Sequence, residues 1–218
     1  MKPLRAIVFD MDGLMVDSEP LSRQAWDEFL RPYGGQISDA MQSQIIGLRA
    51  DVSAPLIREA FNIPLSVPEI IAQRAAIYSR IRAQGVPVMP GLVELQAAIA
   101  ARNIPWAVAS SSGCRHVQEI LAQLKLTDTV YATACGDEVA HGKPAPDLYL
   151  LAAARLGIDP ADCLALEDSA PGSQAAIAAG MTVIAIPNGH TADADFSYVH
   201  FVYTSLYEVA ALLDEWMG

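Results

Sequence analysis

Four groups of polar residues in this chain carry side chains that can do chemistry, and they lie next to apolar runs. They are Asp10 with Asp12, Ser110, Lys143, and Glu167 with Asp168. Carboxylates can act as nucleophiles, as acids or bases and as ligands of a hard metal ion, and a lysine supplies a fixed positive charge. A reaction centre would form if the fold brought these groups together.

The apolar runs have the length and composition of strands buried on both faces of a parallel sheet. They lie at residues 4–9, 106–109, 163–166 and 182–186, with a weaker one at 129–134, and helical patterns occupy 92–102, 117–124 and 147–156. This alternation predicts an α/β fold with a doubly wound parallel sheet. Ligands bind beyond the carboxyl ends of such strands, so the polar groups are expected to meet at that edge.

A long helical segment interrupts the alternation after the first strand. It spans about seventy residues, which is too long for an ordinary loop between a strand and a helix. Its predicted helices are 21–30, 40–46, 52–61 and 67–82, the last with a capping box formed by Ser66 and Glu69. We predict an α/β core of residues 1–18 and 86–218 and an inserted four-helix cap domain of residues 19–85. The linkers 13–19 and 85–91, which contain Gly and Pro, would permit lid motion.

The charge balance narrows the class of ligand. Lys and Arg total 14 and Asp and Glu total 25, a net charge of −11, so we expect no nucleic acid and no membrane as partners. An anionic substrate would then need a metal ion or a local positive charge. The sequence has no apolar stretch of membrane-spanning length, so we expect a cytoplasmic protein. Its three cysteines lack CxxC spacing, so we expect their thiols to be buried and unpaired. The oligomeric state stays open.

In their order along the chain, these motifs resemble those of the haloacid dehalogenase superfamily, specifically its phosphatases with a small helical cap after the first strand. The matching signatures are the DxD of Asp10 and Asp12, Ser110 after the second strand, Lys143 in GKPAPD, and Glu167 with Asp168 in LEDSAPG. The resemblance covers essentially the whole chain. It implies a phosphoric monoester hydrolase that acts on a small phosphate ester through an aspartyl-phosphate.

The expected catalytic residues follow from this resemblance and from their chemistry. Asp10 is suited to attack phosphorus, and Asp12 to protonate the leaving oxygen and then activate water. Lys143 supplies positive charge beside Asp10, and Ser110, with Ser111 next to it, is expected to bind the phosphoryl oxygens.

The expected cofactor is Mg²⁺, because an anionic nucleophile approaching an anionic phosphoryl group requires charge cancellation by a cation with hard oxygen ligands. Asp10 and Asp168 would supply carboxylates. The resemblance adds the backbone carbonyl of Asp12, and Glu167 through a water molecule.

Departures from the relatives narrow the reaction. The dehalogenases of the superfamily lack the second aspartate of the DxD motif, which is present here as Asp12, so dehalogenation is not expected. Phosphonatases use a cap lysine, and residues 19–87 contain no lysine, so phosphonate cleavage is not expected either. The similar β-phosphoglucomutase has a histidine in its first cap helix, where this chain reads Leu21 to Trp26, and it also uses a cap lysine. Ser22 and the lysine-free cap therefore favour hydrolysis, and a phosphosugar mutase is the alternative. A receiver-like phospho-acceptor module is a further alternative, although such a module lacks a helical insertion.

Two cap residues are expected to contact the substrate, which we expect to be a sugar or polyol phosphate. Glu19 begins the insertion, and Arg49 lies in the segment Gly47-Leu48-Arg49, which resembles the cap loop that faces the active site. The Arg49 guanidinium could hydrogen-bond to a substrate hydroxyl or to a second anionic group. An equally good interpretation is a solvent-exposed arginine at the start of a helix.

Other polar or aromatic residues are predicted to have structural roles. The histidines His116, His141, His190 and His200 lack the spacing of a metal pair and are assigned to loops or the surface. Asn188 with Gly189 is interpreted as a turn, Ser112 as a helix cap, and Trp26 with Phe29 as cap core.

Overall fold

The apolar runs form a six-stranded parallel sheet in the computed structural model, which describes residues 4–217. The strands are β1 (Ala6–Phe9), β2 (Trp106–Ser110), β3 (Ala132–Cys135), β4 (Cys163–Glu167), β5 (Thr182–Ala185) and β6 (Phe201–Val202), in the spatial order β3-β2-β1-β4-β5-β6. The doubly wound sheet is thereby confirmed. The weak run at 129–134 begins later than predicted, and β6 was not predicted because two residues carry no periodic signal.

Six helices follow the insertion and cover the sheet. They are α5 (Leu92–Ala101), α6 (Cys114–Gln123), α7 (Asp147–Leu156), α8 (Ala170–Ala178), α9 (Leu206–Ala211) and α10 (Leu213–Trp216). The predicted end of α7 is confirmed at Gly157, which adopts the left-handed conformation with a φ of 68°. Among the described helices, none combines the length and apolar character needed to span a bilayer.

The two faces of the sheet bury side chains of different size. One face packs bulky residues against α5, α6, α9 and α10; its strand residues include Ile7, Phe9, Val108, Leu164, Leu166 and Ile184. The other packs against α7 and α8 and is built mostly from small residues, namely Ala6, Val8, Ala107, Ala109, Ala134, Ala165 and Val183. Small side chains let a helix backbone lie close to the sheet.

Four helices lie between β1 and α5, as the periodicity predicts. They are α1 (Glu19–Leu30), α2 (Asp39–Ile45), α3 (Ala50–Ala60) and α4 (Val67–Arg82). They enclose their own apolar cluster, in which Trp26 and Phe29 pack edge to face at 5.9 Å. The capping box is confirmed, since the Ser66 N–H donates to the Glu69 carboxylate over 2.8 Å. The boundaries of the two domains stay a prediction.

The two linkers between these helices and the sheet are hydrogen-bonded to each other. The Asp17 N–H donates to the Pro87 carbonyl over 2.8 Å, and the Met89 N–H donates to the Met15 carbonyl over 3.0 Å. Gly13 begins the first linker with a φ of 91°, and a Cβ there would lie 2.3 Å from Asp168 Oδ2. This position therefore requires glycine for both its backbone conformation and its close approach to a carboxylate.

Candidate active site

The polar groups singled out in the sequence meet at the carboxyl ends of the three central strands. Asp10 directly follows β1, Ser110 ends β2, and Glu167 ends β4 with Asp168 beyond it. Lys143 lies in the segment before α7, and its ammonium group reaches across to the ends of β1 and β4. All five side chains are buried, so the predicted convergence at this sheet edge is confirmed.

Lys143 is the positive centre of this cluster. Its ammonium donates to Asp10 Oδ1 and, over 2.5 Å, to Glu167 Oε1. Burial lowers the pKa of Lys143, but the charges of Asp10 and Glu167 outweigh burial and raise it above its ordinary value, so the ammonium stays protonated. Burial raises the pKa of Asp10 well above its usual range, against the opposing charge of Lys143.

Glu167 accepts hydrogen bonds at both carboxylate oxygens. Oε1 accepts from Lys143 and, over 2.6 Å, from the Tyr149 hydroxyl. Oε2 accepts from the N–H groups of Asp168 and Ser169, each over 3.1 Å, and from the Ser169 hydroxyl over 3.0 Å. With five donors, Glu167 is held as the acceptor that orients Lys143, and this agrees better with a water-mediated than a direct role toward a metal.

Gly172 in α8 gives Glu167 the room for this arrangement. A Cβ at this position would lie 1.8 Å from Glu167 Oε1 and 2.1 Å from its carboxyl carbon. Any side chain there would displace a carboxylate that has no solvent exposure. The glycine in LEDSAPG is therefore part of the site, although it contributes no functional group.

The carboxylates of Asp10, Glu167 and Asp168 could hold a metal ion. One oxygen of each lies within 4.8 Å of one oxygen of the other two. Lys143 offsets one of these three negative charges, and burial raises the pKa of Asp168 well above its usual range, with Asp10 adding to the shift. A divalent cation would relieve this repulsion, and hard carboxylate oxygens are the ligands that Mg²⁺ takes. The donor set therefore fits the expected cofactor.

Asn188 orients the Asp168 carboxylate. Its amide Nδ2 donates to Asp168 Oδ2 over 2.8 Å and to the Gly13 carbonyl over 2.9 Å. The prediction that Asn188 serves only as a turn residue is therefore wrong. The sequence did not reveal this role, because an Asn-Gly pair after a strand is typical of a turn and does not show which carboxylate the amide reaches.

The Asp12 carboxylate is surrounded by hydrogen-bonding side chains. Oδ1 accepts from the Ser18 hydroxyl over 2.8 Å and lies 3.2 Å from His116 Nε2, and Oδ2 accepts from the Ser112 hydroxyl over 2.8 Å. Ser110 Oγ is 3.4 Å from Oδ2. Neutral hydroxyls around a carboxylate can support both of its protonation states, as an acid that later acts as a base requires.

Two sequence assignments near Asp12 are wrong. Ser112 does not cap α6; Gly113 occupies the capping position, and the Asp137 carboxylate accepts from the Cys114 N–H over 3.1 Å. His116 is not a surface residue but lies in the first turn of α6 with a side chain only 12% exposed. The other three histidines lie in exposed loops, as expected.

A cavity of about 590 Å³ opens above Asp10 and Asp12, between the sheet edge and the inserted helices. Its far wall carries Ser22, Trp26, Gln42, Arg74 and Tyr78. The Arg74 guanidinium donates to Ser22 Oγ over 2.6 Å and stacks between the rings of Trp26 and Tyr78, 5.1 and 4.7 Å from their centroids. Trp26 thus belongs both to the apolar cluster of the insertion and to the cavity wall.

Glu19 lines the cavity, as expected for a substrate contact. The residue is buried, and its carboxylate accepts from Gln42 Nε2 over 2.7 Å. Burial, followed by the nearby charge of Asp12, raises the pKa of Glu19 to about 7. At neutral pH this group is therefore close to half protonated.

Arg49 is placed differently from the expectation that it contacts the substrate directly, whereas Ser111 lines the cavity and its role in binding the phosphoryl oxygens stays a prediction. The Arg49 guanidinium binds the Asp51 carboxylate over 2.8 and 3.0 Å and the Val139 carbonyl over 2.9 Å, and it does not line the cavity. The Ser111 hydroxyl donates to the Gly47 carbonyl over 2.9 Å. Both residues therefore join the inserted helices to the sheet edge.

Comparisons with known proteins agree with this geometry. Residues 4–180 match the family model described as haloacid dehalogenase-like hydrolase. A probable pseudouridine-5'-phosphatase of Drosophila melanogaster is 36% identical over 205 residues, covering 91% of this chain and 88% of the relative. Hexitol phosphatase B of Escherichia coli K12 is 34% identical over 192 residues, 85% of each chain. The crystal structure of CbbY from Rhodobacter sphaeroides in complex with phosphate superimposes with a TM-score of 0.85 at 26% identity, covering 94% of this chain and 96% of that one.

Proposed function

Since this chain belongs to the haloacid dehalogenase-like hydrolases and is a phosphomonoesterase, we propose that it hydrolyses a small phosphorylated sugar or polyol with Mg²⁺, using Asp10 as nucleophile. The observation that carries the proposal is the buried Asp10, paired with Lys143, at the floor of a cavity in which Asp12 stands beside it. A nucleophile and an acid or base two residues apart at a strand end are what a two-step phosphoryl transfer requires.

The reaction divides into two displacements at phosphorus. In the first, an Asp10 oxygen bonds to phosphorus while the bond to the ester oxygen breaks, and Asp12 gives its proton to that oxygen. In the second, Asp12 takes a proton from water, whose oxygen bonds to phosphorus while the bond to Asp10 breaks. Phosphate leaves, and both carboxyl groups return to their starting states.

The remaining residues stabilise charge and hold the reacting groups. Lys143 keeps Asp10 oriented and offsets its charge, while Glu167 fixes the lysine. Asp10 and Asp168, with Glu167 through water, would hold Mg²⁺, which supplies positive charge toward the phosphoryl oxygens when bound. The hydroxyl of Ser110 and the neighbouring backbone N–H groups would bind those oxygens.

The cavity wall supports a substrate with several hydroxyl groups. Several polar side chains line the cavity, among them Glu19, Ser22, Gln42 and Arg74. Hydroxyl groups can both donate and accept, so a sugar or polyol could form hydrogen bonds with these side chains. Trp26 adds an apolar surface against which a carbon skeleton can pack.

The test is phosphate release from a panel that contains hexitol, ketose, aldose and nucleoside monophosphates, each with Mg²⁺ and with a chelator. Asp10→Asn is compared with wild type and with Asp193→Asn, a matched change at an exposed loop residue. We expect release that requires both Mg²⁺ and Asp10, with an acid-stable phosphoprotein detected on the Asp10 peptide after rapid quenching. Undiminished release by Asp10→Asn would refute the nucleophile, and isomerised sugar phosphate without release would establish a mutase.

A further inference from the structure

A second group of metal-ligating side chains lies outside the catalytic carboxylates. Cys114 begins α6, Cys135 ends β3, and Glu138 ends the short 3-10 turn that follows β3. The two sulfur atoms and one Glu138 oxygen all lie within 4.8 Å of one another, and both cysteines are free. Three donors from separate positions in the fold thus face a common point.

We propose that Cys114, Cys135 and Glu138 bind a zinc ion or another thiophilic divalent cation. In a tetrahedral zinc site with bonds of about 2.3 Å to sulfur and about 2.1 Å to oxygen, neighbouring donor atoms stand about 3.6 to 3.8 Å apart. The donors therefore need to close by no more than about 1 Å, which side-chain rotation supplies. Water would complete the fourth position.

The charges around the three donors suit this ion. Two thiolates and one carboxylate carry three negative charges, and zinc leaves one of them uncompensated. The Arg155 guanidinium, which binds both oxygens of Glu138 over 2.8 Å, offsets that charge. A carboxylate oxygen offers two acceptor positions, so Glu138 can ligate while Arg155 continues to orient it.

The site is open to metal from solvent. Cys135 is buried, but Cys114 is only partly buried, contrary to the expectation of buried thiols, and Glu138 is exposed. A thiol is mostly protonated at neutral pH, and a metal binds the thiolate. Binding therefore forms two sulfur–metal bonds and releases two protons to the buffer.

The position of these donors connects them to the catalytic edge of the sheet. The Gly136 N–H, between Cys135 and Glu138, donates to the Ser112 carbonyl over 2.8 Å. Cys114 directly follows residues 111–113, which connect Ser110 at the end of β2 to α6. An ion bound by both cysteines would therefore join the end of β3 to the segment that follows Ser110.

Cobalt substitution tests the site without relying on activity. The full-length protein, reduced with a phosphine and saturated with Mg²⁺, is titrated with Co²⁺, and thiolate-to-cobalt charge transfer is followed in the near ultraviolet. We expect one equivalent to produce this absorption, and zinc to remove it by displacement. Cobalt at the Asp10 and Asp168 carboxylates gives no such absorption, since those ligands contain no sulfur.

Three variants and one matched control decide the outcome. Cys114→Ser and Cys135→Ser should each lower the charge-transfer absorption by at least half, and Glu138→Gln should weaken cobalt binding at least tenfold. Cys163→Ser, which removes a buried thiol in β4 away from the cluster, should leave the absorption unchanged. Absence of the absorption in the wild-type protein, or its full wild-type intensity in Cys114→Ser, would overturn the proposal.

Discussion

Replacing Glu19 with glutamine should stabilise the protein at neutral and alkaline pH and leave its stability nearly unchanged in acid. The Glu19 carboxylate is buried near Asp12, and these two causes raise its pKa from an ordinary 4.5 to about 7. The folded protein therefore holds this proton more tightly than the unfolded chain does. Ionisation of Glu19 lowers the free energy of unfolding as the pH rises from 4.5 to 7, and the loss is constant above that.

The size of the effect follows from the pKa difference. A rise of 7 − 4.5 = 2.5, at about 1.36 kcal/mol for each pKa unit, corresponds to about 3 kcal/mol in the free energy of unfolding. Glutamine carries no charge and keeps an oxygen that can accept the hydrogen bond from Gln42 Nε2. The variant should therefore recover about 3 kcal/mol at pH 8 and less than about 0.5 kcal/mol at pH 4.5.

Urea unfolding with a chelator present measures this difference directly. Wild type, Glu19→Gln and the matched control Glu94→Gln, at an exposed residue in the first turn of α5, are compared at both pH values. The control should change stability little at either pH. Equal stabilisation by Glu19→Gln at both pH values, or none at pH 8, would refute the argument that ionised Glu19 destabilises the fold.

Three further substitutions test the hydrogen-bond network around the buried carboxylates of Asp10, Glu167 and Asp168. Tyr149→Phe removes one hydrogen-bond donor to Glu167, so it should lower kcat about tenfold and the free energy of unfolding by about 1 kcal/mol. Tyr207→Phe, at an exposed tyrosine, should change neither quantity. An unchanged kcat in Tyr149→Phe would show that this hydroxyl does not position Glu167. Gly172→Ala should abolish phosphate release by displacing Glu167, and wild-type activity would contradict the requirement for glycine. Asn188→Ala should raise the Mg²⁺ concentration for half-maximal activity about tenfold, and an unchanged Mg²⁺ dependence would rule out its orienting role.

The sequence was sufficient to predict the sheet and the residues at its edge, because both depend on local patterns. Buried parallel strands appear as continuous apolar runs, and the topology of such a sheet places their carboxyl ends together. Asp10, Lys143 and Asp168 were therefore found without coordinates. Strand β6 escaped because it is too short to show a pattern.

Residues that act through tertiary contacts were not predicted from the sequence. Tyr149 and His116 each lie one turn or less into a helix, and a helical pattern does not reveal which side chain meets a carboxylate from another element. Arg74 was missed for the same reason, since it reaches the cavity from the middle of α4. The sequence places Arg49 in a loop of the insertion, but the direction of its side chain is determined by the Asp51 carboxylate and the Val139 carbonyl.

The alanine-rich face of the sheet links core packing to catalysis. Helix α7 lies close to β1, β2 and β3 because residues such as Ala107 and Ala109 leave room for it. That closeness brings Tyr149, in the first turn of α7, within reach of Glu167 at the end of β4. Added volume beneath this helix would shift the hydroxyl and the preceding Lys143 segment together. Residues within this apolar face therefore determine how Lys143 and Glu167 are aligned beside Asp10, and substitutions there would alter turnover as well as stability.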